Sequence, residues 1–368
     1  MEQRKTAVAS SALSPSFWKY KRVLVTGHTG FKGGWLATWL KKLGAQVVGL
    51  SLDPPTVPSL FTAARVADGM ISKIGDIRNE DLVHRVLIEE KADIIFHLAA
   101  QPLVRLSYTH PVETFATNIM GTVHVLEAAR RCPTVRAVVV ITSDKCYENN
   151  EWVWGYREND RMGGRDPYSC SKGCAELLTT AYQRSFRETS SDASHCPVFA
   201  SVRAGNVIGG GDWGEDRLVP DSMKAIMDGR PVAVRNPAAV RPWQFVLEPL
   251  YGYLLLAERL FQEGDAYAGG WNFGPSGEDT RPVSWVVEMI TRRWGETARW
   301  EHTPNCDFHE ALHLRLDCTK ARVLLGWSPR LDLSQALDWT IEWYRAFHEH
   351  QDMQHLTVDQ ISRYESRV

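Results

Sequence analysis

Short apolar runs alternate with amphipathic stretches through the first two hundred residues. Residues 23–25 are apolar, Trp35, Leu36, Trp39, Leu40 and Leu43 follow at helical spacing, and residues 46–50 are apolar again. The alternation returns with a strand over 71–74 and a helix over 79–90, then a strand over 92–98 and a largely apolar helix over 118–130. Residues 137–143 form the most hydrophobic run, which predicts a central strand covered on both faces. A helix opening at Asp166, with Pro167 at its first position, and a sixth strand over 198–202 complete the series. Repeated strand and helix units of this kind predict an α/β fold, a doubly wound parallel sheet of Rossmann type with right-handed crossovers.

Beyond residue 206 the rhythm breaks. Shorter helices near 218–228, 246–260 and 282–294 are separated by loops carrying Arg217, Arg235, Arg241 and Arg281. The pattern divides the chain into a dinucleotide-binding domain over 21–206 and a smaller mixed α/β substrate lobe over 207–350 whose chain crosses back to the first domain. The stretch 315–329 and a last helix over 333–348 should return to pack. Residues 1–20, rich in Ser and Ala, read as a mobile tail, and residues 351–368 as a loose polar one.

Three glycines give the first domain its chemistry. Gly27, Gly30 and Gly33 lie between the first strand and the first helix, where they allow a tight turn, close approach of a pyrophosphate and close helix–strand packing. The anion would rest on the positive end of the helix. Asp53, after the second strand, stands where a carboxylate meets a ribose hydroxyl, which favours NAD over a 2′-phosphorylated cofactor; Lys32 and Arg65 are the cations that pull the other way. Asp76, after the third strand, could accept from an adenine amino group or cap the helix that follows. Ala99 and Ala100 are small enough to let a cofactor lie against the sheet edge.

Composition narrows the partners. A net charge of −2 with scattered Lys and Arg gives no footprint for nucleic acid. Seven cysteines without a C-x-x-C pair fit a reducing, cytoplasmic setting, and Cys170 with Cys174 makes a poor metal site, so no metal is expected. No window offers the roughly 20 consecutive apolar residues of a membrane helix.

The candidate catalytic groups are Ser143 (or Thr142), Tyr168 and Lys172. A helix from Asp166 places Tyr168 and Lys172 one turn apart on one face. A phenol of pKa near ~10 becomes a base at neutral pH only with roughly 4 kcal/mol of preferential stabilisation of the phenolate. Lys172 and a positive nicotinamide are the expected sources, with Ser143 holding the substrate oxygen.

The glycine triplet, Asp76 with Ile77, Ala99 with Ala100, Asn118 with Gly121 and Thr122, the Tyr168/Lys172 pair and the Trp-Asn-Phe-Gly-Pro run at 271–275 together resemble the extended short-chain dehydrogenase/reductase family of nucleotide-sugar enzymes. The stretches 53–61, 142–149 and 241–249 resemble its CDP-glucose 4,6-dehydratase subgroup. The resemblance implies NAD held by Gly27, Thr29, Gly30, Phe31, Lys32 and Gly33, by Asp53, Asp76 and Ile77, by Leu98, Ala99, Ala100 and Asn118, and by Tyr168 and Lys172. It implies CDP-glucose held by Gln101, Arg105, Asn206, Arg217 and Arg241. It further implies oxidation at C4, loss of water across C5 and C6, and return of the hydride to C6. Asp144 and Lys145 take the place of the usual Asp-Glu pair, as acid for the departing hydroxyl and base at C5. Lys145 can be that base only if its pKa falls from ~10.4, pushed by desolvation and by Lys172, whereas such neighbours should keep Asp144 ionised.

An epimerase or reductase on the same scaffold would need no acid and base at C5 and C6. A non-catalytic NAD-binding regulator would not need Ser143, Tyr168 and Lys172. The resemblance also suggests a homodimer, or a tetramer, through the helix of Tyr168 and the helix after Asn118.

Overall fold

The computed structural model describes residues 12–189, 196–303 and 314–367. Twelve strands are described: β1 (Arg22–Thr26), β2 (Gln46–Ser51), β3 (Ile71–Ile74), β4 (Ile94–His97), β5 (Ala137–Ile141), β6 (Val198–Ala204), β7 (Asn206–Ile208), β8 (Val232–Val234), β9 (Val240–Phe245), β10 (Gly269–Phe273), β11 (Thr280–Pro282) and β12 (Trp300–His302). Seven form one parallel sheet in the order β10-β6-β5-β4-β1-β2-β3. The order reverses between β1 and β4, which places the crevice for ligands beyond the carboxyl ends of these strands.

Strand alternation explains the two layers of helices. Val23 and Val25 pack to one side with Phe96 and Val139, against Trp35, Leu36, Trp39 and the apolar face of the helix Leu247–Glu263. Leu24, Ile95, Val138 and Val140 point the other way, onto Val83, Leu87, Val125 and Leu126 of the helices Glu80–Glu90 and Gly121–Arg131. All five residues of β5 are buried, as the apolar run predicts.

Beyond residue 206 the chain returns to the first sheet. The helix Leu247–Glu263 covers the main sheet and β10 extends it, so this later chain belongs to the dinucleotide-binding layer. The second lobe is built on β7, β9 and β11 and on the pair β8 and β12.

Both expected tails need correcting, while residues 1–11 lie outside the described chain. The helix Pro15–Trp18 drives Trp18 into the core beside Phe96, and Ser14 N–H donates to Glu258 at 3.2 Å. At the other end, Met353–Glu365 is a helix capped by Asp352, with Met353, Ile361 and Tyr364 buried. Tyr364 donates to Glu248 at 2.7 Å, and Glu365 accepts from the Trp39 indole at 2.7 Å. A few apolar residues anchor segments that are otherwise polar. Among the described residues no helix is long and apolar enough to cross a membrane.

Candidate active site

A cleft of about 1870 Å³ runs along the carboxyl ends of the strands and into the second lobe. Single-ligand pockets span roughly 300–1,000 Å³, so this one has room for a dinucleotide and a second ligand end to end.

The glycine loop forms one wall. Gly27 has φ +76°, and a Cβ there would meet the Ala99 backbone nitrogen at 2.8 Å. A Cβ on Gly33 would lie 2.1 Å from the Gly27 carbonyl oxygen. The turn therefore packs backbone on backbone, as the spacing predicts. The helix Phe31–Lys42 that follows has no side-chain cap, which leaves its first-turn N–H groups to an anion. Thr29 donates to the Leu52 carbonyl at 2.9 Å, tying the loop to the end of β2, where exposed Asp53 lines the cleft. These features fit a pyrophosphate and an adenosine ribose. Phe31, Lys32, Asp76, Ile77, Leu98, Ala99 and Ala100 also line the cleft.

One of the expected cofactor contacts differs. Asn118 is buried behind the cleft wall: its Oδ1 accepts from the Gln101 N–H at 2.8 Å, and its Nδ2 donates to the Gln101 carbonyl and to Ser171. It fastens the loop after β4 to the helix Pro167–Tyr182 instead of facing a ligand. Asp76 is paired with Arg78, which holds its carboxyl below the usual range, and the helix that follows is capped by Asn79.

The chemistry lies where β5 ends. Ser143 caps a single turn, Asp144–Cys146, and donates to Asp144 Oδ1 at 2.9 Å. Across from it, Asp166 accepts from the Ser169 N–H at 2.9 Å and starts the helix Pro167–Tyr182. That helix buries Tyr168 and Lys172, both lining the cleft. The Tyr168 phenol is within hydrogen-bonding reach of Ser143, and Lys172 Nζ donates to the Ile141 carbonyl at 3.2 Å.

The electrostatics bear on both Tyr168 and Asp144. Burial pushes Tyr168 up to about 12, opposed first by its hydrogen bond to Ser143, so the chain's own groups do not make it a base at neutral pH. Burial raises the Asp144 carboxyl above the usual carboxylate range, outweighing Lys145, Ser143 and Lys32. Asp144 is thus biased towards the protonated form that a proton donor needs. Lys172 is lowered to about 8 by burial, and Lys32 likewise to about 8 by burial and by Arg217. Lys145 is exposed, so the chain does not supply the desolvation expected for it.

Arg105, Asn206, Arg217 and Arg241 all line the far end of the cleft, as does Gln101. Arg217 donates to both oxygens of buried Asp212 at 2.9 Å. Arg105 and Arg235 both approach Asp216, at 3.3 and 3.0 Å. Gln101 spends its side chain on its own loop, donating to Thr114 at 2.8 Å and accepting from the Leu103 N–H. Asp212 was not singled out from the sequence; the glycine cluster at 209–211 just before it was the available signal. Among the described residues no group of His, Cys, Asp or Glu could hold a metal ion.

The profile of the family described as GDP-mannose 4,6 dehydratase matches residues 24–340. A CDP-glucose 4,6-dehydratase of Salmonella typhimurium is 51% identical over 354 residues, covering 96% of this chain and 99% of the relative. Among solved structures, MoeE5 in complex with UDP-glucose and NAD superposes with a TM-score of 0.71 at 26% identity, covering 89% of this chain and 99% of that one. DesIV, a dTDP-glucose 4,6-dehydratase from Streptomyces venezuelae with NAD and TYD bound, shares the fold with a TM-score of 0.75 at 22% identity, over 90% of this chain and 99% of that one.

Proposed function

The chain belongs to the GDP-mannose 4,6 dehydratase family, and from that premise we propose that it is a CDP-glucose 4,6-dehydratase, an NAD-dependent hydro-lyase forming CDP-4-keto-6-deoxy-D-glucose and water. The observation that carries this reading is the 51% identity to the Salmonella typhimurium enzyme over 96% of the chain. The Asp144–Lys145 pair beside Tyr168 supports it, since elimination across C5 and C6 needs an acid and a base that epimerisation does not.

Bound NAD supplies the hydride acceptor, and later donor, at C4 of its nicotinamide. Ser143 holds the oxygen of the sugar 4-hydroxyl, and Tyr168 takes its proton once a positive charge beside the phenol offsets the cost of burial. The resulting ketone acidifies the hydrogen on C5. Lys145 removes that proton, with the sugar seated over it excluding the water that now surrounds it. Asp144, biased by burial towards its protonated form, delivers its proton to the departing hydroxyl at C6. The first-turn N–H groups after Gly30, with Asp53, hold the dinucleotide; Arg217, Arg241, Arg105 and Asn206 take the substrate's pyrophosphate and nucleoside, with Gln101 shaping the wall between.

The same reading makes the enzyme a cytoplasmic homodimer or tetramer that supplies deoxysugars for surface polysaccharides. Leu177 and Met120, exposed on the two helices expected to meet their symmetry mates, support that assembly. Light scattering would test it: a monomer at all concentrations contradicts it.

The function itself is tested by supplying the purified protein with CDP-, UDP-, dTDP- and GDP-glucose and identifying the sugar formed. A 4-keto-6-deoxy product from CDP-glucose is expected. A 4-epimer as the sole product would move the assignment to an epimerase.

A further inference from the structure

One turn beyond Lys172 on the helix Pro167–Tyr182, Glu176 is only 2% exposed and takes no part in the chemistry above. Its carboxylate is enclosed by three donors from two strands. Thr142, at the end of β5, donates to Oε1 in a very short hydrogen bond. Ser201 and Arg203, both on β6, donate to Oε2 at 2.5 and 2.7 Å. Arg203 continues to the hydroxyl of Tyr147 at 2.5 Å and to the Glu158 carbonyl at 3.0 Å, so the network also reaches the loop that leaves the Asp144–Cys146 turn. Thr142 is flanked by Ile141, whose carbonyl accepts from Lys172, and by Ser143.

We infer that Glu176 is a positioning residue for the C4 oxidation: it keeps Lys172 charged in a buried site and holds the Ser143–Asp144 turn in register with Tyr168.

Titratable groups from four parts of the fold surround Lys172. Glu176 acts from its own helix, Cys146 from the turn after β5, His97 from the end of β4, and Lys32 from the glycine loop. Burial raises the Cys146 thiol well above its usual range, so it is neutral at physiological pH. Burial lowers His97 to about 3, so it is neutral as well. Lys32 is a like charge that disfavours the ammonium. Among these groups, that leaves Glu176 as the anion opposing the desolvation of Lys172. Ser143 and Asp144 come from the end of β5 and Tyr168 from a helix, and Thr142–Glu176 is a direct side-chain bond between those two pieces.

The inference rests on the assignment of Tyr168 and Lys172 to the oxidation, so its test has a readout that needs no turnover. The holoenzyme, labelled at lysine Cε with carbon-13, is titrated by NMR, with the Lys172 signal assigned by its loss in Lys172→Met. In wild type the signal is expected to titrate near 8. In Glu176→Gln it should titrate about one pH unit lower, and in Glu176→Asp, which keeps the charge, near the wild-type value. The alkaline limb of CDP-glucose turnover should move with it, costing Glu176→Gln roughly tenfold at a pH just above that limb. If the Gln variant leaves Arg203 unpaired and does not fold, Glu176→Gln/Arg203→Met removes both charges, and the Lys172 signal should move in the same direction by less, since a cation is lost with the anion. A Lys172 titration that stays in place, or an equal displacement in the Asp variant, overturns the inference. A wild type that turns over no nucleotide sugar contradicts the proposed function instead, and the titration still decides the role of Glu176.

Discussion

Ser143 donates its hydroxyl to Asp144 over 2.9 Å, at the point where β5 gives way to a single turn. The same hydroxyl lies within reach of Tyr168. One serine therefore links the base of the first chemical step to the acid of the second, and the state of Asp144 is set by burial more than by the cations around it.

Asp144→Asn separates catalysis from stability. Turnover should fall by roughly 10²–10⁴, the usual worth of a general acid, while oxidation at C4 persists. The folded carboxyl has a raised pKa, so its stabilising contribution is complete below the unfolded value and is lost as pH rises through the folded one. Wild type should therefore lose thermal stability relative to the Asn variant as pH rises from about 4, the unfolded carboxyl range, through the raised folded value. Melting curves that stay parallel across that range would refute the raised value.

Lys145→Ala should still permit oxidation but stall elimination, so reduced nicotinamide absorbance builds up after mixing with CDP-glucose and decays slowly. Full turnover in this variant would remove Lys145 from the C5 step.

Two alanine substitutions distinguish packing from binding in the glycine loop. At Gly33 the added methyl meets the Gly27 carbonyl oxygen at 2.1 Å, so Gly33→Ala should lose about 1–3 kcal/mol of stability as well as the cofactor. At Gly30 the nearest atom is 3.4 Å away, an ordinary contact, and Gly30→Ala should melt like wild type yet bind NAD at least tenfold more weakly. Calorimetric titration and thermal melts read both. Equal affinity in Gly30→Ala and wild type would mean that the pyrophosphate does not pass there.

Truncation after His350 removes the helix that buries Met353, Ile361 and Tyr364. At roughly 1.5–3 kcal/mol per large side chain, denaturant unfolding should show a loss of at least about 4 kcal/mol. An unchanged midpoint would show that the segment contributes nothing to the fold.

The strand and helix order, the glycine turn and the Tyr168/Lys172 face were legible because each rests on local periodicity or on a cap, as with Asp166 and Pro167. The upward shift of the Asp144 carboxyl was not, because it comes from burial that exists only once the chain has folded. The role of Asn118 was hidden for the same reason, since Ser171 and Gln101 become its partners only on folding. Trp18 and Tyr364 were missed because single apolar anchors in polar segments leave no periodic trace.

The most direct test of the dehydratase assignment is to supply CDP-glucose deuterated at C4 in ordinary water and locate the label by NMR. A dehydratase of this kind forms a 4-keto-6-deoxy product with deuterium on C6 and a solvent hydrogen at C5. Deuterium retained at C4, or released to solvent with no 6-deoxy sugar formed, would contradict it.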